Sequence, residues 1–207
     1  MATVPTNVLR VFDGGTAVIT GGASGIGRAL AEALADRGCE VVVADLQIDM
    51  AEEVAESIRA SGGKATASEL DVTDFSSVQR LVQETVTRTG RLDFVFNNAG
   101  IGIGGPLERQ DIDDWNLVID VNLRGVVHGV QAAYPIMVEQ GFGHIVNTAS
   151  MAGLVSVIEG VSYATTKHAV VGLSTSLRAE AAFKGIRASV LCPGIVRTPI
   201  LEKGGKY

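Results

Sequence analysis

Thr20-Gly21-Gly22-Ala23-Ser24-Gly25-Ile26-Gly27 stands between a strand-like apolar run, 16–19, and a run of helical periodicity, 28–37. The three glycines at 21, 25 and 27 have separate uses. Gly21 admits the tight turn out of the strand, Gly25 lets backbone N–H groups approach a pyrophosphate, and Gly27 lets the helix lie close on the sheet. The helix start then offers unpaired N–H groups and the positive end of its dipole to an anion. Phosphates held this way need no basic side chain, and the stretch contains none. The next strand-like run, 41–44, ends at Asp45. That acid lies about 20 residues beyond the middle glycine, the separation at which a carboxylate meets the adenosine ribose of a dinucleotide. An isolated glycine turn would carry no such inference.

Outward from this turn, strand and helix alternate. The pattern predicts a strand over 16–19, a helix over 25–37 closed at Gly38, a strand over 41–44, a helix over 49–60 and a strand over 65–70. Asp71-Val72-Thr73-Asp74 then turns into a helix ended by Gly90, and a strand over 92–96 runs into Asn97-Asn98-Ala99-Gly100. A helix over 111–140, a strand over 144–148, a helix over 162–184 and a strand over 187–191 complete the series before Pro193-Gly194. Six strands separated by helices predict an α/β fold, a doubly wound Rossmann-type parallel sheet with helices on both faces. The expected order is 3-2-1-4-5-6, with the ligand at the switch between the first and fourth strands. The 207 residues suit one domain, 1–207, undivided by any Pro- or Ser-rich linker.

Composition removes several function classes. A net charge of −6 with no Lys/Arg cluster argues against a nucleic-acid or anionic-membrane partner. The stretch 140–158 lacks Asp, Glu, Lys and Arg, but Gly141, Gly143, His144, Asn147 and Ser150 make it too polar and broken to span a bilayer. The first thirteen residues show no secretory leader, so the expected location is cytoplasmic. Cys39 and Cys192 form no CxxC pattern and are expected to be buried thiols. His128, His144 and His168 are scattered without ligand spacing, so no metal is expected and all three are expected to be non-catalytic.

Chemistry concentrates in the second half of the chain. Tyr163 and Lys167 stand at i and i+4 in a helical stretch, so both project from one face about a turn apart. An ammonium so placed favours the phenolate and is expected to lower the tyrosine pKa. Such a pair alone is usually structural. Ser150, however, ends the fifth strand, and the carboxyl ends of strands are where a doubly wound sheet places its ligands.

Thr20-Gly21-xxx-Gly25-x-Gly27, Asn97-Asn98-Ala99-Gly100, Asn122, Ser150, Tyr163-xxx-Lys167 and Pro193-Gly194 with Thr198 form an ordered set. The chain thereby resembles the short-chain dehydrogenases/reductases, in the single-domain branch rather than that of the extended epimerases. The resemblance implies that Tyr163 is general acid in ketone reduction and base in alcohol oxidation, and that Ser150 hydrogen-bonds the substrate oxygen. It implies that Lys167 holds the nicotinamide ribose and that Asn122 supports a water-linked proton relay behind it. It further implies that Gly21, Ser24, Gly25, Ile26, Gly27 and Asp45 hold the adenosine diphosphate half, with Asn97, Asn98, Ala99 and Gly100 lining it. Asp71, with Val72 beside it, would meet the adenine amino group, and Pro193, Gly194, Ile195 and Thr198 would fix the carboxamide.

Asp45 should favour NAD over NADP, because a 2′-phosphate would meet a like charge with no nearby Arg or Lys to receive it. The expected substrate is a small alcohol or ketone, and the apolar stretch 151–158 hints at a lipophilic one. Apolar residues on more than one face of the two long helices suggest a homodimer or homotetramer packed through them. A regulatory member of the fold, or a fragment that binds cofactor without turnover, is the alternative; the complete Asn122, Ser150, Tyr163 and Lys167 set favours an enzyme. Members of the family resembled carry a substrate lid and a last strand beyond the Pro-Gly turn. A chain finishing at Tyr207 would therefore be expected to keep NAD binding, turn over poorly and aggregate through its sixth strand.

Overall fold

Runs such as Val41-Val42-Val43-Ala44 are apolar on both alternating faces, so each strand demands cover above and below. Helices in the connections supply it. The structure is a computed structural model and describes residues 12–198 and Ile200. Its strands are β1 (Thr16–Thr20), β2 (Glu40–Asp45), β3 (Lys64–Glu69), β4 (Phe94–Asn97), β5 (Gly143–Thr148) and β6 (Ile186–Leu191). They form one sheet in the order β3-β2-β1-β4-β5-β6, every neighbouring pair parallel, as the alternation predicts.

The helices are α1 (Gly25–Ala35), α2 (Ile48–Ala60), α3 (Phe75–Thr89), α4 (Ile112–Ile119), α5 (Gly125–Gln140) and α6 (Val161–Ala181). Strand alternation assigns them to faces. Ala17, Ile19, Val41, Val43 and Phe96 meet Leu34 of α1 and Val54 and Ile58 of α2 on one side. Val18, Val42, Val95 and Ile145 meet α3, α5 and α6 on the other. Ile19, Leu92 and Ile145 are wholly buried. Each such side chain contributes about 1.5–3 kcal/mol relative to exposure. Among the described residues no helix is long and apolar enough to cross a membrane.

Most boundaries lie within two residues of those expected, the ordinary scatter at element ends. The helix predicted over 111–140 differs in kind. It is interrupted between α4 and α5 by a wider π turn, Asp120–Arg124. The cause lies outside the helix: Asn122 turns inward to pair with the backbone of Ile101. Cys39 is buried as expected, its thiol pushed up to about 12 by burial, with Asp93 and Asp13 adding to the effect. Cys192 is only half-buried, because it lies just beyond β6 at the edge of the sheet.

The doubly wound order sends the crossovers after β1 and β4 to opposite faces, opening a crevice at their carboxyl ends. Into that edge run 21–24, 70–74, 98–111, 149–160 and 192–198, which carry most candidate residues, while Gly25, Ile26 and Gly27 open α1, Asp45 ends β2, Asn122 lies between α4 and α5, and Tyr163 and Lys167 lie in α6.

Candidate active site

The glycine turn is built for close approach. Gly21 leaves β1 with φ +64°, and a Cβ there would lie 2.8 Å from Ala99 Cα. A Cβ on Gly27 would fall 2.0 Å from the Gly21 carbonyl oxygen and 2.7 Å from Asn98 Nδ2. Only glycine therefore lets α1 begin so near the β1 and β4 tips. The N-cap residue of α1, Ser24, makes no side-chain capping bond, and the first turn carries no acid. The amides and positive dipole at that helix start are thus left for an anion, and they fit the diphosphate of a dinucleotide.

Asp45, half-buried at the end of β2, accepts the Ala23 N–H through Oδ2 at 3.0 Å and the Gln47 N–H through Oδ1 at 3.0 Å. It braces the turn, and each oxygen retains the capacity to accept a further hydrogen bond. Asp71 is exposed, its Oδ1 accepting from the Thr73 N–H at 2.9 Å and the Thr73 hydroxyl at 2.7 Å. Val72 is buried against Gly125, where a Cβ would come within 2.8 Å of Val72 Cγ2.

The Asn-Asn-Ala-Gly segment divides by strand alternation. Asn97 was expected at the adenosine lining, but its side chain is buried and donates to Asn147 Oδ1 at 2.8 Å. Asn147 in turn donates to Ser174 Oγ, so this chain of bonds ties β4 to β5 and α6. Asn98 is the residue that faces the crevice edge. Its Nδ2 donates to the carbonyls of Thr20 and Gly21, and its Oδ1 accepts the Thr148 hydroxyl. The Thr20 hydroxyl oxygen accepts the N–H groups of Asn98 and Ala99 at 3.0 and 3.1 Å. Thr20 and Thr148 were not singled out in the sequence; for Thr20, its place at the head of the glycine motif was the available signal.

Ser150 follows β5, and its Oγ accepts the Ala152 N–H at 3.1 Å. Tyr163 lies in the first turn of α6, within side-chain hydrogen-bond reach of Ser150. One turn on, the buried Lys167 places Nζ 5.5 Å from the Tyr163 ring centroid and donates to the Thr148 carbonyl at 3.0 Å. Asn122, fully buried, binds both the N–H and the carbonyl of Ile101 at 2.8 Å. A Cβ on Gly100 would lie 3.2 Å from Asn122 Oδ1 and 3.5 Å from Lys167 Nζ, so glycine keeps open the space between them. Pro193 joins this group through its carbonyl, which accepts the Met151 N–H at 2.9 Å. Ile195 is exposed, and among the described residues neither it nor Thr198 hydrogen-bonds to another candidate residue.

A family model, short chain dehydrogenase, matches residues 15–206. The chain belongs to the short-chain dehydrogenase family. A cyclohexanol dehydrogenase of Acinetobacter sp. is 39% identical over 193 residues, covering 93% of this chain and 77% of that protein. Among solved structures, a short-chain dehydrogenase/reductase from Burkholderia phymatum in complex with NAD is 41% identical with a TM-score of 0.89, covering 92% of this chain and 69% of the other. A putative NAD(P)-dependent gluconate 5-dehydrogenase from Beutenbergia cavernae, with bound NADP at low occupancy, is 37% identical with a TM-score of 0.85 over 90% of this chain and 74% of that one.

In this short-chain dehydrogenase the electrostatics of the pair differ from expectation. Burial pushes the Tyr163 phenol above the ordinary tyrosine value, and the hydrogen bond with Ser150 only partly offsets it. Burial also lowers the Lys167 ammonium to about 8. The expected lowering of the tyrosine by the lysine is not what governs: Nζ is directed to the Thr148 carbonyl, and desolvation of the phenol dominates. Among the described residues no group of three or more His, Cys, Asp and Glu is placed to hold a metal. His144 bonds Ser189 and His168 bonds the Ala164 carbonyl within its own helix.

Proposed function

We propose that the chain interconverts a secondary alcohol and a ketone, with NAD as the hydride carrier and Tyr163 as acid and base. The convergence of Ser150, Tyr163 and Lys167 at the sheet edge that carries the glycine turn supports this reading most directly. A nicotinamide held there would supply the hydride chemistry at the carbinol carbon. Ser150 hydrogen-bonds the substrate oxygen and steadies it as charge develops. Tyr163 Oη takes the hydroxyl proton in oxidation, as the C–H electron pair departs with the hydride, and gives the proton back in reduction. Lys167 holds the ribose hydroxyls, and Asn122 serves a water-linked relay through the space beside Gly100. Asp71 accepts the adenine amino group beside Val72, and Pro193, Gly194, Ile195 and Thr198 hold the carboxamide. The test is the absorbance of reduced nicotinamide when purified protein is given NAD and a panel of neutral secondary alcohols. NAD binding without turnover on any of them would sink the reading.

Asp45, bonded to the Ala23 N–H of the glycine turn, supports NAD over NADP, since a 2′-phosphate bound beside it would bring a second negative charge to its carboxylate. NAD should bind at least roughly tenfold more tightly than NADP, a difference typical of one unfavourable charge pair. Asp45→Ala should narrow the gap, mostly by weakening NAD, because the Ala23 N–H loses its acceptor as well. Titration calorimetry that finds equal affinities in the unaltered protein would refute the preference.

A lipophilic substrate is supported by the exposed Met151, Leu154, Val155 and Ile158 that follow Ser150. The cyclohexanol dehydrogenase, named for a neutral ring alcohol, is a relative consistent with that class. Self-association through α5 and α6 is supported by Ile136, Leu173 and Leu177, which pack against the core yet stay only half-buried. Light scattering should give a dimer or tetramer at micromolar concentration, and a strict monomer would count against this assembly.

A further inference from the structure

The turn Asp71-Val72-Thr73-Asp74 links β3 to α3 at the mouth of the crevice, where a loop could pivot. Its central peptide unit, Val72–Thr73, is held at both ends. The Thr73 N–H donates to Asp71 Oδ1 at 2.9 Å, and the carbonyl of the same peptide unit, that of Val72, lies 2.8 Å from Nδ1 of His128. A carbonyl can only accept, so Nδ1 carries the proton. His128 reaches the turn from α5, where Gly125, one turn earlier on the same face, provides the space for the Val72 side chain. The imidazole also lies beside Phe75, the first residue of α3, with ring centroids 5.4 Å apart and planes tilted by 54°. The ring therefore wedges the turn against α5 and α3 and sets the plane of the peptide that aims the Asp71 carboxylate.

We infer that His128 is a positioning residue for recognition of the adenine end of the cofactor, acting through the Val72–Thr73 peptide on Asp71. This rests on the proposed role of Asp71 above. The series is causal: the imidazole fixes the Val72 carbonyl, the peptide plane fixes the Thr73 N–H, and that N–H, together with the Thr73 hydroxyl, holds the carboxylate. A group bound through its nicotinamide half alone never meets this series and is indifferent to it.

Calorimetric titration with ADP-ribose and with nicotinamide mononucleotide separates the possibilities, because neither probe requires a known substrate. His128→Leu keeps an apolar contact with Phe75 but removes the donor. It should weaken ADP-ribose roughly fivefold, the usual worth of one hydrogen bond, and leave nicotinamide mononucleotide within twofold. His128→Asn, whose amide N–H lies near the place of Nδ1, should restore ADP-ribose to within twofold. Asp71→Ala should weaken ADP-ribose at least as much, and adding His128→Leu to it should change nothing further, since the histidine acts through the missing carboxylate. If Asp71→Ala leaves ADP-ribose binding unchanged, the adenine role of Asp71 falls and the inference with it. If Asp71→Ala weakens binding while His128→Leu does not, the positioning role alone is overturned. Equal losses for both probes, or equal losses in the Leu and Asn variants, would make His128 a packing residue and overturn it as well.

Discussion

Tyr163→Phe should lower turnover by roughly 10²- to 10⁴-fold while NAD binding stays within a fewfold of normal. The ring keeps its place at the start of α6 and only the hydroxyl within reach of Ser150 is lost. Direction with pH follows from the shift of this group. Because burial holds the phenol above its ordinary value, it is protonated at neutral pH, so the donor for ketone reduction is present and the base for alcohol oxidation is scarce. Oxidation should therefore climb as pH rises through the alkaline range, while reduction should fall there as the proton is lost. In the phenylalanine variant the residual rate should lose this dependence. A variant retaining more than about a tenth of the normal rate, well short of the loss expected for a general acid–base group, would place the proton transfer on another group.

The largest effect on cofactor binding should come from Gly27→Ala. The added carbon would sit 2.0 Å from the Gly21 carbonyl oxygen and 2.8 Å from its carbon, and these backbone atoms cannot rotate away as a side chain could. Either α1 lifts from the sheet or the turn at Gly21 opens. Both movements displace the amides proposed to hold the diphosphate, and overpacking of this kind typically costs about 1–3 kcal/mol in stability. Affinity for NAD should fall on the order of a hundredfold, since the helix-start contacts are lost together rather than singly. Gly172→Ala is the matched control. It lies in α6 with open space where the Cβ would go, so it should raise the melting temperature slightly and leave NAD affinity unchanged. Calorimetry and thermal melts on the two variants read both outcomes, and normal NAD affinity in Gly27→Ala would refute the role given to the turn.

The order of the sheet, the glycine turn with Asp45, and the pairing of Tyr163 with Lys167 were legible because each depends on spacing within a short stretch. Strand alternation repeats every second residue, i and i+4 lie on one helical face, and a strand followed by a glycine turn and a helix places its own phosphate cradle. Asn97 and Asn98 show where that ends. They are adjacent in the chain, yet one is drawn down to Asn147 and the other across to Thr20, and this depended on β4 pairing with β1 and β5. The π turn at Asn122 was equally hidden, since its cause is the backbone of Ile101, brought there by the loop after β4. His128 gave no local sign of reaching Val72, because the two lie 56 positions apart in the chain and only the tertiary fold brings them together. The sign of the Tyr163 shift belongs to the same class. Proximity of the lysine was readable as a one-turn separation, whereas desolvation is a property of everything that surrounds the phenol and exists only in the packed chain.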